Sequence, residues 1–160
     1  MSDSLEARIR KIEDVQEITN LQARYAYHVD STEIDELIDL FTDTFEWSVG
    51  FEEMTSFTSK PKLHRFLRKS AEFTPMMVHQ PITPLIEVKG DEATGIWYLV
   101  GMVTSKTPDG PKARWVQGRY DNEYARVDGV WKLSRLYFRY NFLTPFEDGW
   151  VKMPYAAFLS

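Results

Sequence analysis

The amino-acid sequence predicts an α+β fold, in which helices pack on one face of a curved, mostly antiparallel sheet. Two observations support this prediction. At residues 4–29, apolar side chains recur every three or four positions, as on one face of a helix, and two shorter helices are predicted before Pro75. After Pro75, long segments with strand-like alternation are separated by short turn sequences, as in a meander of antiparallel strands. We expect residues 1–160 to form a single domain, because a chain of this length can bury a substantial core.

The first helix is predicted at residues 4–29, because no proline or glycine interrupts this segment and Ser4 can cap its N-terminus. Its apolar side chains are Leu5, Ile9, Ile12, Val15, Ile18, Leu21, Tyr25 and Val29. The sequence Asp30-Ser31-Thr32 interrupts the pattern, and a second helix is expected at about residues 32–42. The side chains that this second helix would bury are Ile34, Leu37, Ile38 and Phe41.

Two short strands and a third helix follow in the chain. The strands are predicted at residues 44–49 and 51–58. The third helix is predicted to start near Ser59, because Pro61 fits the first turn of a helix, and to end by Pro75.

The rest of the chain is predicted to form four long strands. These are expected at residues 76–88, 93–104, 114–126 and 130–142. Pro81 and Pro84 lie within the first of them, which predicts an edge strand or a bulged strand. Asp128-Gly129 is a hairpin signal between the last two. The segment after them has no clear periodicity.

Composition excludes several classes of function. The net charge of −5 argues against nucleic-acid binding, which needs basic patches. The absence of cysteine excludes disulfides, Cys-ligated metals and a thiol nucleophile. The polar, acidic N-terminus does not resemble a signal peptide, and no apolar run approaches the roughly 18 residues of a membrane helix. We therefore expect a cytoplasmic protein without membrane contact. The aromatic content of 14% fits either cross-strand aromatic pairs or an apolar pocket.

Three groups of residues, taken in order, resemble the SnoaL-like branch of the nuclear-transport-factor-2-like superfamily. Ile18–Tyr25 with Asp30 resembles its first helix, and Leu37–Trp47 resembles its second helix and first strand. Gly118–Tyr124 and Asp128–Leu133 resemble its last hairpin. The resemblance implies a cone-shaped fold with three N-terminal helices packed on a strongly curved sheet. Within the branch, the chain is similar to scytalone dehydratase, the bile-acid dehydratases and lindane dehydrochlorinase, which are cofactor-free lyases.

The resemblance implies a catalytic pair. Asp30 and His79 stand at the positions where these lyases have an Asp that orients a His. In such a pair the carboxylate fixes the imidazole tautomer, and the other ring nitrogen moves protons. Two other interpretations stay open, since Asp30 can cap the second helix and His79 can be a buried strand histidine.

Tyr25 stands where the bile-acid dehydratases have a tyrosine, and the resemblance implies a proton donor or a ligand of a carbonyl oxygen. It can equally be part of the apolar stripe of the first helix. The chain departs from the bile-acid dehydratases at Gly101, where they carry an acidic residue, which puts their mechanism in doubt here. His28 can border the same cavity, but His28-Val29-Asp30 makes a poor metal site, and we expect none. His64 is expected on a solvated helix face.

Substrate-binding residues are expected on the strands. Trp47, Trp97, Tyr120 and Phe138 are candidates to enclose an apolar substrate, although strand alternation does not place all four inward. Arg139 is a fifth candidate, because the bile-acid dehydratases have an arginine after a Tyr-Val pair, which Tyr137-Phe138-Arg139 resembles. On a regular strand it would share one face with Leu133, Arg135, Tyr137 and Asn141, and that face can alternatively meet solvent or a neighbouring subunit.

The leading hypothesis is a cofactor-independent, dehydratase-type lyase acting on a hydrophobic ring compound such as a steroid, terpenoid or polyketide. An isomerase resembling ketosteroid isomerase, or a cyclase, would use the same pair to move a proton. A protein of another class, a non-catalytic subunit or ligand-binding module, would have the same fold without needing the pair. We expect self-association into a dimer or trimer through the exposed face of the sheet.

Overall fold

The helical and strand segments lie close to their predicted places. The computed structural model describes residues 4–155. The helices in this range are α1 (Leu5–Asp30), α2 (Ile34–Asp39), α3 (Lys60–Phe73) and α4 (Gly149–Lys152). The strands are β1 (Phe41–Gly50), β2 (Met54–Phe57), β3 (Met76–Lys89), β4 (Glu92–Thr107), β5 (Gly110–Val127) and β6 (Val130–Pro145).

One six-stranded sheet carries the fold, in the order β2-β1-β6-β5-β4-β3. Strand β1 runs parallel to β6, and all other neighbours are antiparallel. Strand β3 lies at an edge and has a register shift between Ile82 and Leu85, so the prediction drawn from its prolines is confirmed. The register also shifts twice between β5 and β6. Such bulges bend and twist the long strands, which lets the sheet curve around the helices.

Helix α1 packs its second half against the sheet. Its buried residues are Asp14, Ile18, Leu21, Gln22, Tyr25 and Ala26, which share one helical face. Ser4 caps the helix by accepting a hydrogen bond from the Ala7 amide, as predicted. The first three members of the predicted stripe are exposed, since Leu5 and Ile12 keep 68% and 70% of their surface. The apolar spacing therefore predicted the helix correctly but overestimated how much of it the sheet covers.

Helix α2 is shorter than predicted. It ends at Asp39, because Leu40 accepts a hydrogen bond from the Leu133 amide and Phe41 pairs with Leu133. Phe41 is buried as predicted, but on strand β1. No helix within residues 4–155 is long and apolar enough to cross a membrane.

Candidate active site

Asp30 and His79 form a doubly hydrogen-bonded pair between helix α1 and strand β3. The Asp30 carboxylate accepts from His79 Nδ1 at 2.6 Å with Oδ1 and from the His79 backbone amide at 2.9 Å with Oδ2. This amide is available because β3 lies at the edge of the sheet and, of the described strands, pairs with β4 alone. Helix α1 ends at Asp30, so the sequence break after it places the carboxylate beside that edge.

This geometry fixes the tautomer of His79. An ionised carboxylate only accepts hydrogen bonds, so Nδ1 carries the ring proton and Nε2 keeps its lone pair. The side chains of His79 and Asp30 are 18% and 23% exposed, which leaves the pair sheltered but accessible. The alternative role of Asp30 as a cap is not observed, since the N-cap of α2 is Glu33 and no side chain caps that helix.

His79 lines a cavity of about 510 Å³ between the helices and the concave face of the sheet. The walls are mostly apolar and aromatic. Helix α1 contributes Tyr25 and Val29, and α2 contributes Ile34 and Leu37. Helix α3 supplies Phe66, Leu67, Ser70, Ala71 and Phe73. Residues from the sheet include Trp47, Phe51, Met77, Leu99, Gly101, Val103, Val116, Tyr120, Phe138 and Tyr140.

Tyr25 is buried at the cavity wall. Its phenol oxygen accepts a hydrogen bond from Trp47 Nε1 at 3.1 Å. Burial raises the pKa of Tyr25 to about 12, partly offset by this hydrogen bond, so the phenol stays protonated at neutral pH. Burial also raises the pKa of Tyr120 and Tyr140, which line the same space. The cavity thus presents one imidazole lone pair and neutral phenols to a ligand.

Gly101 lies directly across from His79 in the β3–β4 pairing. A Cβ atom built on Gly101 would lie 2.6 Å from the Val78 carbonyl oxygen, closer than real Cβ contacts come. The backbone of β3 therefore occupies the space that a side chain at position 101 would need. The site has no room there for a second carboxylate.

The structure brings Asp30, His79, Tyr25, Trp47, Tyr120 and Phe138 together at or beside the cavity. Trp97 is also buried, but it lies outside the lining and donates from Nε1 to the Tyr124 hydroxyl at 3.0 Å. His28 is not part of the cavity lining. Its Nδ1 lies 2.7 Å from Glu33 Oε2.

Arg139 does not reach the cavity, contrary to the expectation from the sequence. It is exposed, whereas its neighbours Phe138 and Tyr140 line the site. The physical reason is the bulge where Glu123 pairs with Arg135 but Tyr124 pairs with Leu133. One extra residue on β6 reverses the alternation, so Leu133 and Arg139 face opposite sides.

The sequence analysis missed the wall that helix α3 supplies. The sequence did not predict that Phe66, Leu67, Ser70, Phe73 and Thr74 line the site. A helix with one strongly apolar face placed before an edge strand is a usable signal for a cavity wall. Among residues 4–155, no group of three or more His, Asp or Glu side chains is placed to hold a metal ion.

A family model described as SnoaL-like domain matches residues 10–137. The chain belongs to the SnoaL-like family. Its fold is the cone-shaped, nuclear-transport-factor-2-like fold that the sequence predicted, and that prediction is confirmed. No curated protein matches the sequence of this SnoaL-like chain.

Solved structures with the same fold carry several names. The LinA-type3 hexachlorocyclohexane dehydrochlorinase of Novosphingobium barchaimii is 23% identical, with a TM-score of 0.77 over 87% of this chain and 94% of that one. A Novosphingobium aromaticivorans protein provisionally named scytalone dehydratase is 21% identical, with a TM-score of 0.75 over 85% and 89%. Another protein of that organism, provisionally named an aromatic ring hydroxylase, is 26% identical, with a TM-score of 0.75 over 86% and 96%. These names belong to the neighbours, and the likeness of the SnoaL-like chain to them is one of fold.

Proposed function

We propose that this protein is a cofactor-independent lyase that removes water, or another small leaving group, from a hydrophobic ring compound. The observation that carries the proposal is the Asp30–His79 pair, in which Asp30 contacts Nδ1 and, among residues 4–155, Nε2 makes no hydrogen bond at the wall of an apolar cavity. The names of two neighbours, a dehydrochlorinase and a scytalone dehydratase, are consistent with elimination chemistry.

The proposed step begins with His79 as the base. Nε2 removes a proton from a carbon of the ring, and the electrons of that C–H bond form a carbon–carbon double bond as the bond to the leaving hydroxyl breaks. The imidazolium, stabilised by Asp30, then returns the proton to the hydroxyl, which leaves as water. Tyr25 can donate a hydrogen bond to the oxygen on which negative charge develops. The enzyme ends the cycle unchanged, and the substrate loses only water.

The lining also favours an uncharged substrate. Of the described residues at the cavity, none is Lys or Arg, and Glu53 is the one carboxylate. An anionic substrate would therefore lose hydration without gaining a counter-charge. The volume of about 510 Å³ lies within the range of ligand pockets and suits a molecule of several fused rings.

Proton transfer without elimination is a second candidate, favoured by Gly101. Because no second carboxylate fits opposite His79, a reaction at this end of the cavity would rely on the His79 base and the phenol of Tyr25. A single base is sufficient for an isomerase that moves a proton next to a carbonyl.

The test is a screen of hydroxylated ring ketones and steroids with wild type, His79→Ala and His64→Ala. His64 is a matched control, because its Nε2 also contacts an aspartate, Asp35 Oδ1, at 2.8 Å, but this pair lies outside the cavity. We expect loss of water, seen by mass spectrometry, to fall about 10²- to 10⁴-fold in His79→Ala and to stay unchanged in His64→Ala.

Products of unchanged mass would favour the isomerase instead. Full activity in His79→Ala would contradict both catalytic proposals and leave a binding module of the same fold.

A further inference from the structure

The hydrogen bond between Trp47 and Tyr25 has a fixed direction. An indole N–H can only donate, so the Tyr25 oxygen must be the acceptor. Both side chains are buried, at 5% and 4% exposure, and both line the cavity. Water therefore competes weakly for this contact, and the indole occupies the principal acceptor position of the phenol.

The hydroxyl proton of Tyr25 remains available. Within residues 4–155, no hydrogen bond uses this proton. The O–H bond has to turn away from the indole N–H that donates to the same oxygen. A ligand that meets Tyr25 must then be a hydrogen-bond acceptor, such as a carbonyl oxygen.

We propose that Trp47 is a positioning residue that orients the Tyr25 hydroxyl as a donor toward a carbonyl oxygen in the cavity. This inference rests on the proposed function. It narrows the substrate class to ring compounds in which a carbonyl group acidifies the C–H bond from which His79 removes the proton. The same indole N–H partly offsets the effect of burial on the pKa of Tyr25, which makes the phenol a better donor to a developing oxyanion.

Packing alone does not require the indole N–H. Trp47 also contacts the rings of Phe57 and Phe66, with centroids 6.0 and 5.7 Å away. Trp47→Phe retains an aromatic wall there and removes the donor. Trp97→Phe is a matched control, because Trp97 is equally buried and donates to a tyrosine hydroxyl, that of Tyr124, outside the cavity.

The test compares binding of two bicyclic probes, 2-decalone and 2-methylenedecalin, by isothermal titration calorimetry. The probes have nearly the same shape, and only the ketone has an acceptor oxygen. Their affinity ratio therefore isolates hydrogen bonding from any packing change caused by a substitution. Neither probe has a leaving group, so the outcome does not depend on whether the protein is a lyase.

A neutral hydrogen bond changes affinity by roughly two- to tenfold. We expect Tyr25→Phe to lower the ketone preference about three- to tenfold and Trp47→Phe to lower it about two- to threefold. The double variant should match Tyr25→Phe, because Trp47 acts through Tyr25. Trp97→Phe should keep the wild-type ratio. The carbonyl ¹³C resonance of bound, labelled 2-decalone should move upfield as this hydrogen bond weakens. The shift should be larger in Tyr25→Phe than in Trp47→Phe, and absent in Trp97→Phe.

Three results would overturn the proposal. The first is a wild-type affinity ratio in Trp47→Phe. The second is a double variant in which Trp47→Phe lowers the ratio as much as it does alone, and the third is a wild type that does not prefer the ketone. If Trp47→Phe does not fold, β-(3-benzothienyl)alanine at position 47 keeps the indole shape without its N–H. If the screen finds no lyase activity, this binding result still stands. If the binding result fails, the lyase activity can still be present.

Discussion

Two carboxylates on helix α1 contact the sheet, and they accept hydrogen bonds from different kinds of side chain. Asp14 is buried and accepts hydrogen bonds from the Arg126 guanidinium and from Trp131 Nε1 at 3.2 Å. Asp30, about 24 Å further along the helix at about 1.5 Å per residue, accepts from the ring and the amide of His79.

The partner decides the role of each carboxylate. Arg126 keeps its charge at any physiological pH and lies over the Trp131 ring, 4.4 Å from its centroid, so the Asp14 cluster is a permanent cross-link. His79 is an imidazole whose Nε2 does not contact Asp30, and its side chain lines a cavity. The same helix is thus fixed to the sheet at one end and carries the reactive group at the other.

The largest effect on stability should come from Asp14→Ala. It leaves a largely buried guanidinium and a buried indole N–H without their shared acceptor, because Asp91 is the one other described carboxylate that pairs with Arg126. Breaking a buried ion pair costs about 3–5 kcal/mol in the free energy of unfolding. Urea denaturation measures this loss, and activity per folded molecule should remain.

Asp91→Ala is the control for that experiment. Asp91 contacts the same guanidinium at 3.1 Å, but its side chain is 73% exposed, so its loss should cost no more than about 1 kcal/mol. Equal losses in the two variants would show that Asp14 is no stronger a cross-link than a surface contact.

Asp30→Asn should have the opposite effect from Asp14→Ala, with a large loss of activity and a small loss of stability. An asparagine amide no longer demands a proton on Nδ1, so the imidazole can place its proton on Nε2 and lose the free lone pair in the cavity. We expect kcat to fall by about 100-fold or more, which corresponds to about 3 kcal/mol in the activation barrier. The free energy of unfolding should change by only about 1 kcal/mol.

Asp35→Asn provides the comparison, since Asp35 contacts His64 outside the cavity. It should leave kcat unchanged. A comparable loss of kcat in both variants would mean that surface charge, and not the tautomer of His79, controls the reaction.

Local sequence patterns predicted the helices and strands because each carries a periodicity that its own residues determine. They could not predict that Leu5 and Ile12 are exposed, since coverage depends on how far the sheet extends. The placement of Arg139 failed for a related reason. A bulge on β6 arises from pairing with β5, and nothing in the β6 sequence alone reveals it.

The contact between Asp30 and His79 was expected from the family resemblance, and the catalytic role of the pair remains a prediction. Residue spacing alone could not join two positions on a helix and a distant edge strand. The Asp14 cluster was missed because a charged residue on an amphipathic helix is normally solvated. Its partner Arg126 is far away in the chain.

Two buried tyrosines extend the comparison to alkaline pH. Burial raises the pKa of Tyr25 and of Tyr124 to about 12, above the usual value of 10.0. The unfolded chain therefore loses these protons first, so the stability they provide is complete below pH 10 and is lost between about pH 10 and 12. Each contributes up to about 2–3 kcal/mol to that loss.

Tyr25→Phe and Tyr124→Phe should each flatten the decline in the free energy of unfolding over this range, measured by urea denaturation at several pH values. They should differ at pH 7. Both variants remove the acceptor of a buried indole N–H, but the Tyr124 hydroxyl also donates to Gln22 Oε1 at 3.2 Å, so Tyr124→Phe should cost about 1 kcal/mol more there. An unchanged pH slope in both variants would rule out raised pKa values as the cause of the decline.

Two glycines of β4 lie on either side of this comparison, because one packs against the Tyr124 and Trp97 side chains and the other against the strand that carries His79. A Cβ at Gly95 would meet side-chain atoms of Tyr124 and Trp97 at 2.9 and 3.0 Å, whereas a Cβ at Gly101 would meet the backbone oxygen of Val78. Either alanine substitution should cost about 1–3 kcal/mol in stability by overpacking. Only Gly101→Ala displaces the strand that carries His79, so only it should also lower kcat at constant folded fraction. Equal kcat values in the two variants would mean that β3 can move away from β4 without disturbing the contact between His79 and Asp30.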